Sequence, residues 1–109
     1  IWDKKLEAIA QEYADELAAE NKKNKNNFLY LSHVGTDGST LKIRLEEKEY
    51  NAVYCVENLA YLKGNESMVI DHWMNNPTSC KNIMNRQVTA MAMARSGDFW
   101  VILFAHPKK

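Results

Sequence analysis

The sequence predicts an α+β protein, a three-layer α-β-α sandwich around a mainly antiparallel sheet. Two observations lead to this prediction. Apolar residues recur with a helical period near the start of the chain, and the period changes to two in the last third. There the segment 99–104 is apolar on both faces, so its sheet needs a layer of helices on each side.

The first predicted element is an amphipathic helix. Its apolar residues recur at steps of three and four, and charged residues fill most of the other positions. The apolar stripe consists of Leu6, Ile9, Ala10, Tyr13, Ala14 and Leu17. A polar run at 21–27, rich in asparagine and lysine, continues a helix poorly, and we expect a solvated loop there.

Capping residues predict two further helices. The segment 34–39 has the composition of a tight turn that presents His33, and Ser39 or Thr40 can cap a helix over 41–48. Asn65 is a natural cap for a helix over 66–75, and Pro77 is expected to stop that helix.

The last third of the chain predicts two antiparallel strands. Alanines at 90, 92 and 94 alternate with methionines at 91 and 93, and a turn at 96–98 leads into the apolar segment 99–104. The row of small alanines would let one helix approach the sheet closely. The two methionines are expected to fill gaps in the core rather than to form a ligand-binding wall.

Length and composition indicate one domain and disfavour two classes of partner. A chain of 109 residues can bury a single core, and we take residues 1–109 as one domain. With 14 basic and 14 acidic side chains the formal net charge is zero, so no nucleic-acid or anionic-membrane partner is expected. The longest apolar run, 99–105, is far shorter than the ~20 residues that cross a bilayer, and no transmembrane segment is expected.

Five sequence blocks occur in a specific order. They are the helix with Trp2 and Asp3, the Ser32-His33 segment with Asp37-Gly38 and Arg44-Leu45, and residues 54–60, 73–84 and 99–104. Together they resemble the CAP superfamily, the SCP-like domains related to cysteine-rich secretory proteins, insect venom antigens and plant pathogenesis-related proteins. The resemblance implies the same three-layer fold. The family usually has one more helix before this point, so we expect this chain to lack the family's first helix.

The resemblance also implies a central pocket. In the family, two histidines and two acids converge in a cavity and can bind a divalent cation. By motif, the first histidine corresponds to His33 and the first acid to Glu57, whereas Asn76 and Ser79 stand at the positions of the second acid and the second histidine. Zinc normally takes at least three nitrogen, sulfur or carboxylate ligands, so we expect no metal and no other cofactor. Instead, Glu57 is expected to accept a hydrogen bond from His33.

A displaced metal site is one alternative. His72 lies one helical turn before Asn76 and shares its face, so it could supply the missing imidazole. A weak metal site would then use His33, Glu57 and His72.

A hydrolase is the second alternative. Ser79 or Cys80 would be the nucleophile, with His33 as the base and Glu57 as the orienting acid. No Gly-x-Ser-x-Gly motif surrounds Ser79, which disfavours this interpretation.

Cys55 and Cys80 are the only cysteines, and each lies beside a pocket block. Because these blocks converge in the family, the resemblance favours a disulfide between the two in an exported protein, with two free buried thiols as the alternative.

The resemblance implies a secreted or surface-exposed, non-catalytic domain that acts as a binding or structural module and not as an enzyme. Some relatives bind sterols, fatty acids or host proteins outside the tetrad, so a lipid, a sterol or an extracellular host protein is the expected partner of a monomeric domain. Attachment through a lipid anchor on a preceding segment would be consistent with this location. The abundant asparagine and lysine also hint at a bacterial source.

Overall fold

The computed structural model describes residues 2–23, 31–35 and 37–107. In chain order the elements are α1 (Lys4–Lys23), α2 (Leu41–Glu47), β1 (Ala52–Tyr61), α3 (Glu66–Met74), α4 (Pro77–Ile83), β2 (Ala90–Ser96) and β3 (Phe99–Pro107). The strands form one antiparallel sheet in the order β1-β3-β2. Helices pack on both of its faces, which confirms the predicted α+β sandwich. Most of the expected loop at 21–27 lies outside the described residues, but residues 21–23 still belong to α1.

The face of the sheet that packs against α1 and α2 is called face A. Alanines of α1 and alanines of β2 belong to the same buried cluster on this face. Ala10, Ala14 and Ala92 are all fully buried, and α1 contacts both β2 and β3. The predicted close approach of a helix to the alanine row is therefore present, since side chains this small keep the helix near the sheet.

The opposite face, called face B, packs against α3 and α4. Its core contains two buried tryptophans, Trp73 and Trp100, whose indole nitrogens donate to the carbonyl oxygens of Leu59 at 3.0 Å and of Leu62 at 2.9 Å. Each indole thus combines apolar burial with a satisfied polar group. The two methionines of β2 pack at the edge of this cluster, as the sequence predicts.

Side-chain caps fix three helix starts. Of the two candidates Ser39 and Thr40, the structure uses Thr40, which accepts from the Ile43 N–H, and Asn65 accepts from the Met68 N–H as predicted. Asp3 also caps α1, since its carboxylate accepts from two backbone N–H groups of the first turn.

Two elements were not predicted from the sequence, and both lie around the pocket blocks. Strand β1 contains the polar pair Glu57 and Asn58 at its centre, which interrupts the apolar pattern of a strand. Helix α4 begins at Pro77, the residue that was expected only to stop α3. Proline suits the first position of a helix because its missing N–H has no partner there in any case. No helix of the described residues is long and apolar enough to cross a membrane.

Candidate functional site

The carboxylate of Glu57 is the centre of the polar cluster on face A. Glu57 lies in β1 with its side chain directed toward α2, and the residue is only 6% exposed. The Nδ1 atom of His33 lies 2.9 Å from Oε1, so the expected His33–Glu57 hydrogen bond is present. Arg44 donates from Nη1 to Oε2 at 2.9 Å and from Nη2 to Oε1 at 3.3 Å. Both carboxylate oxygens are therefore bonded to the same guanidinium.

Arg44 connects the elements around this carboxylate. It lies in α2 and is 8% exposed, its Nη2 also donates to the His33 carbonyl oxygen at 2.9 Å, and its Cζ lies 3.6 Å from the centre of the Tyr13 ring. The hydroxyl of Tyr13 in turn donates to the carbonyl oxygen of Ser32. A single buried cation thus joins α1, α2, β1 and the segment that carries His33.

In the sequence, Arg44 is evident only as part of a motif, and its role was not predicted. A signal was available, because Arg44 occupies the apolar stripe of α2 next to Leu45. A charge at a buried helical position requires an opposite charge or several hydrogen bonds, and Glu57 is the acid that supplies them.

The two partners of the Glu57 carboxylate differ in their exposure to solvent. The side chain of His33 is 65% exposed and that of Arg44 is 9% exposed, against 2% for Glu57. The charge of Glu57 is therefore compensated mainly by Arg44, in a region where water screens little, while His33 closes the cluster on its solvent side.

Asn76 and Ser79 lie in a different environment. Asn76 is the N-cap of α4, and its side chain accepts from the backbone N–H of Ser79 at 3.1 Å. Among the described residues, no hydrogen bond joins either of them to His33 or to the Glu57 carboxylate, and α4 packs on face B. The amide at position 76 therefore has a structural role as a helix cap.

A buried amide network, which was not predicted from the sequence, attaches α4 to β1. Asn58 is 2% exposed and points to face B. Its Nδ2 donates to the Ser79 carbonyl oxygen at 3.1 Å, and its Oδ1 accepts from Asn82 Nδ2 at 2.8 Å. Two adjacent polar residues in a strand, Glu57 and Asn58, must face opposite sides of the sheet, which was the available signal.

The metal site proposed from His33, Glu57 and His72 does not form. His72 is an exposed residue of α3, on face B, whereas the Glu57 carboxylate points to face A. Within the described part of the chain, no group of three histidine, cysteine, aspartate or glutamate side chains is arranged to hold a metal ion.

The expected disulfide is also absent. Cys55 and Cys80 are both free thiols. Cys55 packs against the face A core, while Cys80 belongs to α4 on face B, so the sheet lies between the two elements that carry them. The two sequence blocks that carry these cysteines are neighbours in the fold, but Cys55 faces one side of the sheet and α4 packs on the other. Burial, and secondarily the charge of Glu57, raise the pKa of the Cys55 thiol.

The hydrolase arrangement is not assembled either. The Nδ1 atom of His33 is bonded to Glu57, and none of the hydrogen bonds of the described residues joins His33 to Ser79 or Cys80. The geometry thus supplies an acid and a histidine but no nucleophile bonded to them.

The model of the CAP family, described as the cysteine-rich secretory protein family, matches residues 1–104. A comparison with curated protein sequences finds no significant match.

Solved structures that are similar to this chain include three bacterial proteins. An extracellular protein containing an SCP domain from Bacillus anthracis has a TM-score of 0.85 at 22% identity, covering 96% of this chain and 33% of that one. An outer surface protein from Borrelia burgdorferi has a TM-score of 0.78 at 25% identity, covering 98% and 77%. A cysteine-rich secretory protein from Staphylococcus aureus has a TM-score of 0.71 at 16% identity, covering 96% and 31%. The chain thus spans about a third of two of these proteins and 77% of the Borrelia one.

Proposed function

This chain belongs to the CAP family of cysteine-rich secretory proteins, and we propose that it is a non-catalytic, extracellular or surface-exposed domain that binds a lipid or sterol. The location is supported by the relatives in solved structures, which include an extracellular protein and an outer surface protein.

The single observation that supports a role without a metal is the ion pair of Arg44 and Glu57. A cation approaching the carboxylate would meet a guanidinium that already bonds both oxygens, at 2.9 and 3.3 Å. It would have to displace Arg44 or share the carboxylate with a fixed positive charge, and either is unfavourable in a buried site. His33 alone offers too few ligands for zinc.

The proposed ligand site is a groove between α2 and the start of β1. This groove, called the α2 groove, has a volume of about 470 Å³ and combines apolar walls at Leu45 and Cys55 with the aromatic rings of Tyr50 and Tyr54. Its volume falls in the range of small-molecule sites, and amphipathic side chains of this kind suit a ligand with an apolar body and a polar group.

The test combines a metal titration with a ligand-uptake measurement. Calorimetric titration of the domain with zinc should show no binding at micromolar concentration. A fluorescent sterol should show saturable uptake that Lys42→Trp blocks, because Lys42 is exposed and lines the α2 groove. The matched control is Lys63→Trp, an exposed lysine that does not line the groove.

Two results would contradict the proposal. Zinc binding at micromolar concentration that is lost in His33→Ala would restore the metal-dependent interpretation. A lack of saturable uptake, with no lipid extracted from the purified domain, would leave a purely structural module.

A further inference from the structure

A second groove lies at the other side of β1, away from the Glu57 carboxylate. It consists of two depressions that share Tyr54 as a wall and is called the Tyr54 groove. One depression, of about 290 Å³, is lined by Arg86 and His106, and the other, of about 450 Å³, is lined by Lys81. Tyr54 lies opposite His106 in the β1–β3 ladder, so the groove runs across the end of the sheet.

The charges of this groove have one sign. Among the residues that the structure describes, no acidic side chain lines either depression. Lys81, Arg86 and His106 are exposed, and within the described part of the chain none of them makes an ion pair or a side-chain hydrogen bond. Residues 77–109 contain five lysines and arginines and one aspartate, although the whole chain has no net charge. A groove with unpaired cations and no acid attracts anions.

The wall of the groove is held in place before any ligand binds. The side chain of Asn85 donates from Nδ2 to the Tyr54 hydroxyl at 2.9 Å, while its Oδ1 accepts from the backbone N–H of Gln87 at 2.8 Å. These two bonds fix the turn that carries Arg86. Because the Tyr54 oxygen accepts from Asn85, the hydroxyl hydrogen remains available as a donor between the two depressions.

We propose that the Tyr54 groove binds a ligand with at least two phosphate groups, one on each side of Tyr54. Arg86 and His106 would contact one phosphate and Lys81 the other, with the Tyr54 hydroxyl donating between them. A guanidinium and an ammonium are the usual partners of phosphate oxygens in proteins. The two proposed sites share Tyr54 as a wall, but Lys81, Arg86 and His106 do not line the α2 groove, so their substitution tests the phosphate site separately.

The probe is inorganic tripolyphosphate, measured by calorimetric titration at low salt. We expect saturable binding that weakens as salt is added, since exposed charges are screened. The double variant Lys81→Gln/Arg86→Gln should weaken it at least about tenfold, because hydrogen bonds to charged groups are lost. The control Lys22→Gln/Lys63→Gln removes the same charge from exposed lysines outside the groove and should bind as the native chain does.

A vesicle-binding experiment distinguishes a lipid headgroup from a soluble ligand as the source of the phosphate groups. Sedimentation with phosphatidylcholine vesicles, with and without phosphatidylglycerol, tests for lipid headgroups. If the domain binds the anionic vesicles, if tripolyphosphate displaces it from them, and if the double variant does not bind them, lipid headgroups are the source. Binding of tripolyphosphate without binding to vesicles would identify a soluble ligand. Absence of tripolyphosphate binding, equal loss in both double variants, or equally tight binding of citrate would each overturn the proposal.

Discussion

Arg44 and Glu57 form a buried two-point ion pair between α2 and β1, with both carboxylate oxygens bonded to one guanidinium at 2.9 and 3.3 Å. His33 Nδ1 lies 2.9 Å from the same carboxylate, so the acid is engaged within the protein from two sides. The pair is a property of the folded chain that can be tested apart from any ligand.

Removal of Arg44 should strongly destabilise the fold. In Arg44→Met the Glu57 carboxylate stays buried with only the exposed His33 beside it, and we expect a loss of about 3–5 kcal/mol in the free energy of unfolding. Urea unfolding measures this loss. The double variant Arg44→Met/Glu57→Leu should recover most of it, since no charge remains buried. A double variant as unstable as Arg44→Met would contradict the assignment of the cost to the unpaired carboxylate.

The amide of Asn58 should contribute to the attachment of α4. Asn58→Ala removes the Asn58 amide from the Ser79 carbonyl oxygen and leaves the Asn82 amide only its 3.4 Å bond to the Glu57 carbonyl oxygen, and we expect a loss of about 1–3 kcal/mol in unfolding free energy. Asn75→Ala is the matched control, because Asn75 is exposed and its amide bonds only a carbonyl oxygen of its own helix. Equal losses in the two variants would argue against a special role for the buried network.

The two cysteines should both be labelled without a reducing agent. Burial, and then the charge of Glu57, raise the pKa of Cys55, so its reactive thiolate is scarce at neutral pH and its alkylation should be slow. Its labelling rate should increase as the pH is raised. Mass spectrometry of the iodoacetamide-treated native protein measures the labelling of each cysteine, and the Cys55→Ser variant assigns the two sites. A protein that takes up label only after reduction would show that the thiols are bonded.

Tyr50 should make the fold less stable at alkaline pH. Its hydroxyl donates to Asp3 Oδ2 at 2.8 Å, and burial, with Asp3, raises its pKa above the ordinary value of 10.0. Below that pH both states hold the proton and the contribution is fully present. As the pH rises further, Tyr50 ionises first in the unfolded chain. Its contribution to the stability of the fold is therefore lost progressively as the pH rises toward the pKa of the folded state.

The matched variant for this pH effect is Tyr50→Phe, which keeps the ring. Unfolding free energies at about pH 8 and about pH 11 should show the native chain more stable than the variant at the lower pH, with a smaller difference at the higher pH. A difference that stays constant would mean that the Tyr50 proton does not distinguish the folded from the unfolded chain.

Local sequence patterns explain most of the fold. The stripe on α1, the caps Thr40 and Asn65 and the period of the last third each depend on neighbouring residues, and the structure contains the elements they predict. Strand β1 was missed because Glu57 and Asn58 interrupt its apolar pattern, and each is satisfied by a partner from another element.

The site was less predictable than the fold because its partners are distant in sequence. The resemblance brought His33 and Glu57 together correctly, but the motif does not tell on which face of β1 a neighbouring block packs. In the structure the Glu57 carboxylate and Cys55 lie on face A, whereas α4, which carries Cys80, packs on face B. The role of Arg44 depends on the buried charge of Glu57, thirteen residues away in another element, and the helical period of α2 gives no information about that partner.

Strand β1 forms one border of the sheet, since β3 lies between it and β2. Two of its carbonyl oxygens already accept hydrogen bonds from side chains of the helices. The Leu59 oxygen accepts from the Trp73 indole, and the Glu57 oxygen accepts from Asn82 Nδ2 at 3.4 Å. A strand from a second molecule would find these acceptors occupied and the helical layer beside them. Both acceptors are therefore less available to a strand of another molecule, which limits edge-to-edge association along this part of the border.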